Sequence, residues 1–541
     1  MMESDRLIHV VLGAVAASTT SWWLASAAPA AETGLPPAGA ATSKFCSELQ
    51  RIGNGTDDPG EIPPYDHTAK ILDLLLPDAS EALKPLIAEM RDTFAAVGVA
   101  SAAGKSVLPA FAKLGDPRLI DVEHALARGI RKECGIALGD PAKWPKDTAH
   151  SAVPPDADQP ACPGWGAQSN AVFKNRFPFT IDTSGANYWD IRYKVEPSGW
   201  IDLAGEYPHA RYFSYLPNDM HTDNLHQLTD VHIDPDPGSV NPWRQVPPAG
   251  AHQRFSIHFV FGPTPANPAP NTSYLGLTKH GEPNQGGIIV YRIYGSDLGN
   301  EPNSAGVKLP AITIHAPDGH VVAHYDECQP YSKPLAVKFE DVANFPPLPI
   351  PGSYVSPHPK LSNSANYNLP VDMLANPDVQ YATFFLSHRF GDLFVVHARA
   401  FTTPDTRRGE PRSKPSDIEG WTVCNYNLTS GIAQTCRMDH DLKLDRDGNY
   451  TLVVSTADQR PADTEATRDA NWFDWGPYLD NQITWRFYRR DHPKMDKFVR
   501  ALAGEPPSPE IAPYIPQAVY CNKAAFERGG WKGCLAAARR E

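Results

Sequence analysis

Trp189, Ile191, Tyr193 and Val195 alternate with Asp190, Arg192, Lys194 and Glu196. A strict period of two turns one face of a chain to a core and the other to water, so this run predicts a β-strand with one wet face. Short runs of strand character recur at Arg211 to Tyr215, Phe255 to Val260, Ile288 to Tyr294, Ala311 to His315, Ala382 to Leu386, Leu393 to Phe401, Tyr450 to Ser455 and Ile483 to Tyr488. Turn residues punctuate them, including Asp318-Gly319 and the stretch from Asp445 to Asn449. No helical period lies between the runs, which argues against a strand–helix–strand architecture. The pattern predicts a mainly β protein with two sandwich-like or jelly-roll-like domains. The 54 prolines, about twice the usual share, fit many turns and short strands.

The runs also repeat at long range. Ile288-Ile289-Val290-Tyr291-Arg292-Ile293-Tyr294 is echoed by Ile483-Thr484-Trp485-Arg486-Phe487-Tyr488; each carries Arg-x-Tyr and is followed shortly by Asp, at Asp297 and Asp491. Two related domains are therefore expected, at residues 171–343 and 353–491, with the Pro-rich stretch Asn344 to Pro351 between them. Ahead of them, Leu83, Leu86, Ile87, Met90, Phe94 and Val97 recur at steps that put them on one stripe of a helix. Val122, Leu126, Ile130 and Cys134 do the same, and Gly135 supplies a stop. A small helical region at 44–135 and a Pro-, Asp- and Ala-rich linker at 136–170 thus precede the β domains. Met495, Phe498, Val499 and Leu502 return to a helical period, so residues 492–541 read as a short, disulfide-held tail lying over the body as a clasp.

The N-terminus bears on the compartment. Arg6 opens an apolar run from Leu7 to Ala17, and Ala25-Ser26-Ala27 or Ala28-Pro29-Ala30 offers the small-x-small pattern of a cleavage site. Residues 1–31 are expected to be a signal peptide, which places the mature chain outside the cell or in its envelope. No later segment approaches the about 20 apolar residues of a spanning helix, so no transmembrane span is expected in the mature chain. The formal net charge of −13 and the lack of a Lys/Arg cluster argue against nucleic acid as a partner. The cysteine count of eight is even, and pairing is the default for an exported chain. Cys424–Cys436 and Cys521–Cys534 are near enough to close local loops, which leaves Cys46–Cys134 and Cys162–Cys328.

The densest polar constellation runs from His221 to Asp236. If residues 229–234 are extended, Asp230, His232 and Asp234 share one face, and these three are the candidate catalytic acid–base groups. His221, His226, His232, Asp234 and Asp236 are the candidate metal ligands, and a divalent cation is the cofactor they could hold. The plainer reading is a turn, in which the aspartates cap backbone N–H groups. The zincin spacing is absent. Aromatic residues beside charged ones, with Arg211, Tyr212, Trp243 and Arg244 foremost, suit a glycan or another amphipathic small molecule, although aromatics also fill sandwich cores. His315, His320 and His324 with Asp326 form a second, weaker ligand set. Asp445 to Asn449 looks like the start of a calcium loop, but Thr456 stands where the closing Glu belongs, which favours a hairpin turn.

The stretch Asp445 to Ser455, then Asn471-Trp472-Phe473 and Ile483 to Tyr488, resembles the closing segment of uncharacterised bacterial sandwich domains: a Gly-bearing hairpin strand, an Asn-Trp motif and a last strand with Arg-x-Tyr. Tyr207 to Ser214 and Asp234 to Arg244 are likewise similar to secreted bacterial proteins of unknown function. The resemblance implies a fold and no chemistry. Two functions follow as expectations: a secreted or envelope protein binding an extracellular carbohydrate or amphipathic small molecule, or an exported hydrolase or lyase using the His/Asp cluster, with or without a metal.

Overall fold

A computed structural model of the chain describes residues 43–53, 69, 72–102, 117–135, 162–166, 186–220, 223–299, 304–330, 356–363, 376–427, 433–476, 480–488 and 492–539. The expected signal peptide and His221 lie outside the described residues. Helices α1 (Lys44–Gly53), α2 (Lys84–Ala102) and α3 (Pro117–Cys134) make up the N-terminal region. Leu83, at the threshold of α2, joins its stripe of Ile87, Met90 and Phe94; this stripe and that of Val122, Leu126 and Ile130 are buried where α2 meets α3. Gly135 ends α3 with a φ of +67°, which its missing Cβ allows, and its N–H donates to the Arg131 carbonyl at 2.9 Å. Cys46–Cys134 ties α1 to the end of α3.

The rest is mainly β. The first half holds β1 (Ala186–Lys194), β2 (Trp200–Glu206), β3 (Ala210–Asp219), β4 (Leu228–Thr229) and β5 (Arg254–Val260). It continues with β6 (Thr272–Tyr274), β7 (Gly286–Ser296), β8 (Ala311–His315) and β9 (Val321–Tyr325). The second half holds β10 (Ser362–Asn363), β11 (Val379–Ser387), β12 (Leu393–Arg399), β13 (Gly420–Asn427) and β14 (Ala433–Met438). It closes with β15 (Asn449–Ser455), β16 (Ala470–Asp474), β17 (Asp480–Tyr488) and β18 (Gln517–Cys521). Each half has an inner and an outer sheet. The inner sheets run β1-β7-β3-β4 and β10-β11-β17-β13-β14; the outer sheets run β6-β5-β2-β8-β9 and β16-β15-β12-β18.

The halves follow one plan. The last inner strand lies between two earlier ones, β7 between β1 and β3 and β17 between β11 and β13. In both outer sheets a single parallel neighbour, β6 on β5 and β16 on β15, interrupts an otherwise antiparallel ladder. The Arg-x-Tyr echo in the sequence falls on β7 and β17, which occupy the same place. One apolar cluster fills the space between inner and outer sheet in each half, with Phe213, Tyr215, Phe255, Ile257 and Ile289 in the first and Trp421, Val423, Leu452, Trp485 and Phe487 in the second.

A third cluster joins the halves. Tyr188, Tyr212, Ile288, Val290 and Tyr294 from the first inner sheet meet Val379, Met438 and Tyr488 from the second half. The first inner sheet is thus covered on both faces, and every residue of β3 and β7 is buried. This narrows the expectation of a wet face on β1: Lys194 and Glu196 are exposed and Arg192 is half-buried, but Asp190 is buried, because at that end of the strand the face that alternation assigned to water meets protein. One buried and one half-buried ion pair cross the joint. Arg211 Nη1 lies 2.6 Å from Asp439 Oδ2, and Arg412 pairs with Asp297. Burial alone would raise the Asp439 carboxyl, yet the Arg211 guanidinium and His440 hold it below the ordinary carboxylate value.

Residues 492–541 do more than clasp. Helix α4 (Pro493–Leu502) sends Met495 and Phe498 into the second core, β18 becomes a strand of the outer sheet beside β12, and α5 (Lys523–Ala538) covers that sheet's outer face. Cys162–Cys328, Cys424–Cys436 and Cys521–Cys534 are the remaining disulfides among the described residues. Four disulfides fit a secreted or extracellular protein. Among the described residues no helix is long and apolar enough to cross a membrane.

Candidate functional site

The outer face of the first half's outer sheet gathers the most organised polar group that the cores and the joint do not use. Along β2, Ile201 and Leu203 point into the core, so Trp200 and Asp202 point outward. Phe255, Ile257 and Phe259 fix β5 in the same phase and turn His258 out opposite Asp202. His315 ends β8 directly opposite Trp200. His258 Nδ1 lies 2.6 Å from Asp202 Oδ1, His315 Nε2 lies 3.0 Å from Asp202 Oδ2, and the Trp200 indole N–H donates to Oδ2 at 3.2 Å. The Trp200 and His315 rings stack at 4.4 Å and 9°. Gly319, with a φ of +88°, turns the β8–β9 hairpin beside the indole.

The carboxylate only accepts, so the His258 Nδ1 carries a proton and Nε2 is the nitrogen left for a ligand. The hydrogen bond from His258 to Asp202 raises the imidazole pKa above its ordinary value, against a smaller opposing effect of burial. Burial pushes Asp202 up, but its bonds to His258 and Trp200 leave it net lowered. The side chains keep 44% exposure at His258, 33% at Asp202 and 15% at His315, so the group is open at the His258 end and closed at the His315 end. Farther along the sheet, Thr313 Oγ1 and His324 Nδ1 are 2.9 Å apart and His324 Nε2 lies 3.2 Å from Asp326. His320 bonds Asp318 at 2.5 Å. The histidines of the second ligand set therefore each face a different carboxylate and do not converge.

The His221 to Asp236 constellation also disperses. Asp230 is fully buried; its Oδ2 accepts from Phe213 N–H at 3.1 Å and its Oδ1 from Val231 N–H at 2.5 Å. Asp439 does the same in the second half, accepting from Trp421 N–H at 3.3 Å and His440 N–H at 2.7 Å. Both aspartates open a one-turn 3₁₀ helix. Residues 230–232 are therefore not extended, which is why Asp230, His232 and Asp234 do not share a face. His232 is exposed, and Asp234 pairs with Arg244 at 2.6 Å on the surface. Asp236 sits in a turn, its carbonyl accepting from Ser239 N–H at 2.8 Å. His226 is half-buried, and burial lowers its pKa. Among the described residues no group of three or more His, Cys, Asp or Glu could hold a metal ion. Asp445 likewise caps its own hairpin, accepting from the Asp447 and Asn449 N–H groups at 2.9 Å.

Arg211 and Tyr212 lie in the joint between the halves. The Tyr212 ring stacks against Tyr294 at 5.2 Å, and Tyr488 follows at 6.1 Å, so no face is left for a ligand. The buried Trp243 donates its indole N–H to the Arg211 carbonyl at 2.8 Å. Arg244 is the surface member of that set, donating to the Val231 carbonyl at 2.6 Å. Three residues of the exposed group, Trp200, Asp202 and His258, are not among those the sequence singles out. The signal for the first two is present in Trp200-Ile201-Asp202-Leu203, a short alternation like that of β1, and His258 lies within the run Phe255 to Val260.

No family model matches this chain, and no curated protein matches it. Among solved structures it is similar to an uncharacterized protein from Burkholderia cenocepacia, with 14% identity, a TM-score of 0.38, and coverage of 69% of this chain and 84% of that one. It is also similar to the VPA0106 protein of Vibrio parahaemolyticus, with 13% identity, a TM-score of 0.29, and coverage of 59% of this chain and 88% of that one. Both likenesses are too distant to bear on function.

Proposed function

We propose that this is a secreted or cell-envelope binding protein, and that it takes an extracellular carbohydrate or other amphipathic small molecule on the outer face around Trp200, Asp202 and His258. The observation that supports this is a contrast between equivalent positions. Strand registers align Trp200, Asp202, His258 and His315 in the first half with Leu393, Val395, Val453 and Cys521 in the second. In the second half those positions are apolar and buried beneath α5. In the first half they are polar, hydrogen-bonded to one another and partly open to water. An indole edge beside an ordered carboxylate and imidazole suits a ligand that has both an apolar face and hydroxyl groups. Binding without turnover is the reading, with the 171–343 and 353–491 units as two domains of which only the first carries the site.

Titration calorimetry of the oxidised, mature protein against a panel of neutral and acidic oligosaccharides tests this. Trp200→Ala and His258→Ala are each expected to weaken binding roughly tenfold or more. Binding that neither change alters would remove the site from this face, and no binding across the panel would remove the carbohydrate reading.

One observation favours a second reading. His258 is oriented by Asp202 through Nδ1 with Nε2 left for a ligand, the arrangement of a general base in a hydrolase or lyase. If the protein turns over any substrate, His258→Ala should abolish it while His232→Ala leaves it unchanged.

A further inference from the structure

We infer that the open face takes a sugar ring of gluco configuration in a slot between Trp200 and Tyr274, with Val260 as its floor. This rests on the carbohydrate reading above and names the sugar. Strand register puts the three side chains in one row: Val260 on β5 lies opposite Trp200 on β2, and Tyr274 on β6 lies beside Val260. Ser273 and Leu275 are fully buried, so Tyr274 between them turns outward, to the face that Trp200 and Val260 share. All three residues are partly exposed.

The stack with His315 decides which way the indole faces. His315 is directly opposite Trp200 on β8, and the two rings lie 4.4 Å apart and nearly parallel, so the stacking direction runs across the strands. One indole face is taken by His315, and the other turns toward β5, over Val260. On the far side of that floor the Tyr274 hydroxyl accepts from the Ala269 N–H at 3.1 Å, which anchors the second ring. Trp200 and Tyr274 stand two strand spacings apart, about 9–10 Å. That width admits one ring at about 4.5–5 Å from each wall, a stacking separation.

The two ends of the slot differ. His258, two residues before Val260 on the same face of β5, brings Nε2 to one end. At the other end Gly262 continues the floor, and a side chain there would meet nothing nearer than Val260, at 3.7 Å. A ligand chain can therefore leave past Gly262. In the second half Leu393, Ser455 and Asp474 stand where Trp200, Val260 and Tyr274 stand, so the pair of rings belongs to the first half alone.

A sugar held between two rings must be apolar on both of its faces. A β-linked glucose unit meets this condition, because its hydroxyls are equatorial and its axial bonds carry only hydrogen. The hydroxyls then lie around the rim, where His258 Nε2 can bond one of them. A mannose or galactose unit has one axial hydroxyl, which the slot would press against an aromatic wall without a hydrogen-bond partner.

Titration calorimetry of the oxidised, mature protein with cellotetraose and with mannotetraose, which differ by one axial hydroxyl per ring, tests this. Cellotetraose is expected to bind at least about tenfold more tightly. Tyr274→Ala should weaken cellotetraose binding about tenfold with a melting temperature close to that of the wild type, because the residue is partly exposed. Val260→Trp removes no wall and fills the slot, and should abolish binding. Equal affinity for the two sugars would overturn the inference, as would cellotetraose binding that survives both changes. If Trp200→Ala or His258→Ala still weakens binding in those cases, the open face remains the site and only the slot falls. No binding of either sugar overturns the inference as well, and the wider oligosaccharide panel then decides the carbohydrate reading by itself.

Discussion

The two outer sheets share a strand plan and end differently. In the second half the chain leaves β18 at Cys521, enters α5, and lays Phe526 and Trp531 over Leu393, Val395 and Val453. In the first half the chain leaves β8 at His315, turns at Gly319, and adds β9 as one more strand. The segment after the equivalent strand thus differs with the side chains that stand on the face. Three aliphatic side chains and a cysteine in a row call for an apolar cover, since uncovered they would cost about 25 cal/mol for each Å² left wet. Trp200, Asp202, His258 and His315 bond to one another and stay partly in water, and call for none. A single framework carries one face closed by an apolar cover and one left polar and partly open to water.

The sharpest way to break this comparison is to uncover the closed face. Phe526, on the buried face of α5, is 1% exposed, so Phe526→Ala is expected to destabilise the second half by about 3–5 kcal/mol. Trp200→Ala, on the open face, should change stability by about 1 kcal/mol or less while removing ligand binding. Thermal unfolding of both variants against wild type checks the pair. Equal losses would mean that the Trp200 face is structural too.

A second test contrasts histidines. His388 stacks on the fully buried Trp475 at 3.7 Å, and burial pushes its pKa down from 6.5 to about 4. The folded state therefore favours the neutral ring, while the unfolded chain takes up a proton near 6.5. Stability is full above that value, falls as pH drops toward 4, and changes no further below it, a loss of about 3 kcal/mol from this residue. His388→Phe should flatten that limb of a melting-temperature profile. A variant with an unchanged acid limb would mean that the loss arises elsewhere.

Much of this fold is legible in the sequence because alternation is a local signal. The runs at 255–260, 288–294, 450–455 and 483–488 fall on β5, β7, β15 and β17. The wet face expected of β1 holds at Lys194 and Glu196 and fails at Asp190, because a residue's neighbours along the chain say nothing of protein packed on the strand's far side. The candidate site is hidden for a related reason. Proximity in sequence draws attention to His221 through Asp236, where local turn geometry consumes the aspartates. Asp202, His258 and His315 are far apart in the chain, and only the registers of β2 with β5 and β8 bring them together. His315 stands out in the sequence, but with His320 and His324, its neighbours along the chain and not at the carboxylate.

The smallest expected effect tests the chemistry of the open face. With Asp202 present, His258 should titrate above its ordinary value, because the carboxylate favours the imidazolium. The sign of the linked stability is set by that direction. His258 contributes fully below the unfolded value near 6.5 and loses its contribution as pH rises through the raised folded value. The residue is half-exposed, so the amount should be no more than about 0.5 kcal/mol, within the range of surface pairs. Asp202→Asn should bring the His258 ring signals, followed by NMR across pH, back to an ordinary titration. It should leave His388 untouched, since that ring owes its low pKa chiefly to burial in the other half. An unmoved His258 titration would mean that Asp202 does not set the imidazole's charge, and the face would then be an array of separate polar groups with no advantage over any other stretch of surface.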